Sequence, residues 1–71
     1  MDRTANAIVE TYPGKGVGRW TLIAPWEGTP AQAQAFTYST LLIEPVTAVV
    51  REGRAHFTGK LDDVEHLATL L

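Results

Sequence analysis

The sequence predicts an α+β fold: an antiparallel sheet of about four strands in two hairpins, with a C-terminal helix and a central helix on one face. Three observations predict it. Two β-rich runs, Val46–Val50 and Ala55–Thr58, flank a Glu52-Gly53 turn. Leu61, Val64, Leu67, Ala68 and Leu71 then recur at helical spacing. Upstream, Thr29-Pro30-Ala31-Gln32 has the residues of a helix start.

The first strand is Asn6 to Tyr12, a run rich in β-formers. Pro13-Gly14-Lys15-Gly16-Val17-Gly18 interrupts it, because proline removes a donor and glycine admits positive φ. Arg19 to Pro25 forms the second strand. Trp20, Leu22 and Ala24 lie on one face, with Trp26 just beyond, and Arg19, Thr21 and Ile23 on the other.

The central helix runs from Pro30 to about Ser39. Thr29 is suited to the N-cap, proline to the first helical position, and Gln32 completes a capping box. Ala31, Ala35, Tyr38 and Leu42 make one apolar stripe and Phe36 and Ile43 a second. Leu41 to Ile43 suit helix or strand, and Pro45 ends whatever precedes it.

The C-terminal hairpin has a defined register. A two-residue turn pairs Arg51 with Arg54, Val50 with Ala55, Val49 with His56 and Ala48 with Phe57. Val46, Ala48, Val50, Ala55 and Phe57 then share a dry face, opposite Thr47, Val49, Arg51, Arg54, His56 and Thr58. In the last helix, Asp62, Asp63 and Glu65 offer a second capping box and favour the positive end of the helix dipole.

Composition bounds the function. The 71 residues make a single small domain, residues 1–5 expected to fray, and such a chain buries only about 60% of its unfolded surface. With no cysteine, neither a disulfide nor a Cys-based zinc site can compensate. So small an interior favours a homo-oligomer, a dimer first. The net charge of −2 counts against a duplex-binding surface. No run approaches the roughly 20 apolar residues of a membrane span, and the N-terminus lacks the signal-peptide pattern, so a cytoplasmic protein is expected.

No catalytic, cofactor or metal site is expected. Gly14-Lys15-Gly16-Val17-Gly18 lacks both the P-loop and the Rossmann spacing, and a strand follows where a helix should. Asp62 and His66 share a helical face, but His56 would have to reach them from the other side of the sheet. No serine occupies a nucleophile turn.

Two binding surfaces are candidates. Trp20, Trp26, Phe36 and Ile43 are partner contacts of the types that dominate interfaces. Arg51, Arg54 and His56, beside Thr58, could receive an anionic group. The expected function is a small non-catalytic binding or adaptor protein acting through an oligomeric or protein–protein interface. The alternative is a single-stranded nucleic-acid module, with bases stacked on aromatics and phosphates met by Lys15, Arg19, Arg51 and Arg54.

Overall fold

The computed structural model describes residues 7–12 and 19–71, with side chains described for 7–10 and 19–71. The expected fraying of residues 1–5 and the Gly14–Gly18 connection with Lys15 fall outside them.

Four antiparallel strands form one sheet: β1 (Ala7–Tyr12), β2 (Arg19–Pro25), β3 (Thr47–Arg51) and β4 (Arg54–Gly59), in the spatial order β1-β2-β4-β3. Two helices complete the α+β fold, α1 (Pro30–Tyr38) between β2 and β3, and α2 (Leu61–Leu70) after β4. The first and last strand pairs join through β2 and β4, which places β1 and β3 at opposite edges.

The β3–β4 register is the one the hairpin sequence predicts, from Ala48 opposite Phe57 to Arg51 opposite Arg54. Its turn holds Glu52 at φ 54° and Gly53 at φ 76°, two successive left-handed residues, as a type I′ hairpin requires. Alternation then sorts the side chains. On β2 and β4, Leu22 faces Phe57 and Ala24 faces Ala55, all buried, while Trp20 lies opposite Gly59. A Cβ at Gly59 would come within 2.9 Å of Val46 Cγ2, so glycine there lets Val46 close the core from the α1–β3 connection.

Leu22, Ala33, Val46, Ala55, Phe57, Val64 and Leu67 make the buried cluster, roofed by α2 across β2 and β4 and by α1 along β3. Val64 and Leu67 are fully buried and Leu61 and Ala68 half-buried, as the α2 periodicity requires. Leu71, the last member of that stripe, instead lies past the helix end and is exposed, with no further turn to hold it against the sheet. The capping box of α1 forms as expected: Gln32 N–H donates to Thr29 Oγ1 at 3.1 Å and Thr29 N–H to Gln32 Oε1 at 2.8 Å.

Two expectations are corrected. The stripe of Ala31, Ala35 and Tyr38 faces solvent, and α1 buries Ala33 and Thr37 with Phe36 half-buried beside them. One phenyl ring removes more apolar area from water than two methyl groups, and small Ala33 and Thr37 let the helix approach β3 closely. Leu42 lies beyond the helix end and packs on the core from the loop. The second capping box does not form either. Lys60 is the N-cap of α2, with no side-chain capping bond, and Asp63 is turned to another task.

Candidate functional site

The eight residues after α1 contain Leu41-Leu42-Ile43 and Pro45, more apolar side chains than one short connection can bury. Only Leu42 and Val46 turn inward. Leu41 is 94% exposed, Tyr38 77% and Ile43 64%. Monomeric proteins seldom leave several large apolar side chains together in water without a use for them.

This display is anchored rather than loose. Asp63 is buried, and its carboxylate accepts from Ile43 N–H at 2.6 Å through Oδ1 and from Glu44 N–H at 3.0 Å through Oδ2. A carboxylate bonding two backbone donors makes charge-assisted contacts stronger than neutral ones. It ties the loop to the first turn of α2. Ser39 and Thr40 hydroxyls donate to Phe36 and Thr37 carbonyls at 2.8 and 2.9 Å, satisfying the last turn of α1. The resulting surface holds an open groove of about 300 Å³, walled in part by Tyr38, Leu42, Ile43 and Pro45. Leu41 projects beside it.

The predicted partner contacts divide. Trp26 and Phe36 pack into a three-ring cluster with Phe57, at centroid distances of 5.9 to 6.1 Å, and Trp26 Nε1–H donates to Thr29 O at 3.2 Å. They are half-buried, as is Trp20 opposite Gly59. Ile43 alone of the four is exposed, and it joins Tyr38 and Leu41, which sequence reasoning did not single out as contacts. The signal was present: three consecutive large aliphatics before a proline must send at least one outward.

The second surface is the outer face of the sheet, where both helices are absent. Arg51 and Arg54 lie directly opposite each other there. His56 is one row inward, between Val49 and Ile23, so the structure brings the three anion candidates onto one face. A further row sets Thr47, Thr58, Thr21 and Val9 side by side, with Thr21 and Thr58 hydroxyls 2.9 Å apart. Lys60 meets Glu44 at 4.0 Å, a weak exposed pair at the edge of the loop.

Among the described residues, no group of three or more His, Cys, Asp or Glu could hold a metal ion, and no helix is long and apolar enough to cross a membrane. Comparison with protein-family models, with curated proteins and with solved structures finds no match to this chain.

Proposed function

We propose that this chain is a small non-catalytic binding protein of adaptor type, and that it pairs with a second copy of itself through the Tyr38–Pro45 surface. The observation that supports the reading is a knob set beside a hole. Leu41 projects into solvent next to a largely apolar groove, whose wall also holds Thr37, Thr40 and Glu44, on a loop held by the buried Asp63 carboxylate. Under two-fold symmetry the Leu41 of each copy enters the groove of the other, and one patch supplies both halves of an isologous contact. Preorganisation favours the exchange, because the loop has little freedom left to lose on association.

Size-exclusion chromatography with light scattering, across a dilution series, tests it. The chain is expected to run as a dimer that dissociates on dilution, and Leu41→Ser to run as a monomer with an unchanged circular dichroism spectrum. A monomer at the highest concentration of unaltered protein overturns the reading.

A further inference from the structure

The outer face of the sheet sorts charge in a way the net charge of −2 conceals. Arg51 and Arg54 close one end of it, and Arg19, at the start of β2, stands at the other by alternation with Trp20. All three are exposed, and no side chain of the three forms an ion pair or hydrogen bond among the described residues. Between them run the Val49–His56–Ile23 row and the Thr47–Thr58–Thr21–Val9 row, which carry no carboxylate. Glu10 falls at an inner-face position opposite Trp20, and Glu52 sits in the turn without pairing to either neighbouring arginine. Asp62, Asp63 and Glu65 are on α2, across the sheet.

Three features narrow the occupant. A second copy laid face to face on this surface would bring arginines against arginines. Stacked nucleic-acid bases would need aromatic platforms. By register Tyr12, opposite Arg19, is the one aromatic position of this face among the described residues, too few for a run of stacked bases, since Trp20, Trp26, Phe36 and Phe57 all pack on the helical side. What remains is a cation at each end of an apolar and threonine-lined strip. From Arg19 to Pro25, level with Arg54, the strip spans seven residues, or roughly 20 Å over the intervals between them at about 3.3 Å per residue.

We infer that the outer sheet face binds an extended acidic peptide segment of a protein partner, with carboxylates at both ends of a short apolar run. The end carboxylates pair with Arg51 and Arg54 on one side and Arg19 on the other, and the intervening side chains cover Val9, Ile23 and Val49. The directly opposed Arg51–Arg54 pair is explained by the same inference. Like charges facing across a hairpin are destabilising in the free protein, and one bound carboxylate relieves that repulsion while making forked bonds.

The test is fluorescence anisotropy with the full chain and a labelled peptide of two glutamates, four alternating valines and leucines, and two glutamates. Binding is expected to weaken with added salt, and about tenfold in the double variant Arg51→Gln/Arg54→Gln, whose fold is checked by circular dichroism. The same peptide with glutamine at its ends is expected not to bind. Leu41→Ser is expected to bind as well as the unaltered chain, which separates this surface from the self-association patch. Equal affinity in the double variant, equal binding of the glutamine peptide, or tighter binding of an oligothymidine overturns the inference.

Discussion

Glu52 occupies a left-handed conformation at φ 54°, where a side chain with a Cβ is disfavoured by roughly 1–2 kcal/mol and asparagine is tolerated better. Glu52→Asn is therefore expected to stabilise the protein by about 0.5–1 kcal/mol, read as a higher urea midpoint with an unchanged slope. Asp63 acts in the opposite sense. Removing its carboxylate leaves the Ile43 and Glu44 N–H groups without acceptors and loosens the loop. Asp63→Ala is expected to cost about 2–4 kcal/mol in chemical denaturation, and to raise hydrogen-exchange rates at Ile43 and Glu44 before those of β4. The role of Asp63 was not legible from position. Its acidity at a helix start is what capping would produce, and only the fold brings a loop twenty residues upstream into its reach.

Secondary-structure elements here protect one another's weak points. As an edge strand, β3 offers unpaired backbone groups on its outer side, a template for unwanted pairing. Gln34 on α1 blocks its first part: Nε2–H donates to Val46 O at 2.8 Å, and Oε1 accepts from Ala48 N–H at 3.0 Å. The amide thus copies the bonding of a neighbouring strand. Thr37 Oγ1 fixes it in place, accepting a second Nε2–H at 2.9 Å. Gln34→Ala is expected to lower stability by about 1–3 kcal/mol, and to shorten the lag of aggregation in agitated samples. A variant as stable and as slow to aggregate as the parent would refute this role. Helix α1 was legible by its ends, through Thr29, Pro30 and Gln32, and not by its faces. Its apolar residues divide between two stripes, and spacing alone could not weigh one phenyl ring against several alanines.

At the scale of the molecule, the sheet separates two environments. The helical side holds the core, the aromatic cluster and the α2 carboxylates, and the outer side carries arginines above an apolar strip. If the Tyr38–Pro45 loop pairs two copies, folding is coupled to association. The thermal midpoint is then expected to rise with protein concentration in the parent and to stay constant in Leu41→Ser, as mass action requires. Differential scanning calorimetry across a hundredfold range of concentration, about what such shifts need, measures it.

The strands, both hairpins, the α1 cap and the inward set of α2 apart from Leu71 were determined by the sequence itself, because period, turn chemistry and capping are local properties read within a few residues. Which stripe of α1 met the sheet, where Asp63 reached, and whether Trp26 and Phe36 joined Phe57 were decided only by tertiary structure. Those outcomes depend on groups far apart in the chain competing to bury area and satisfy donors, and that competition has no signature in residue spacing.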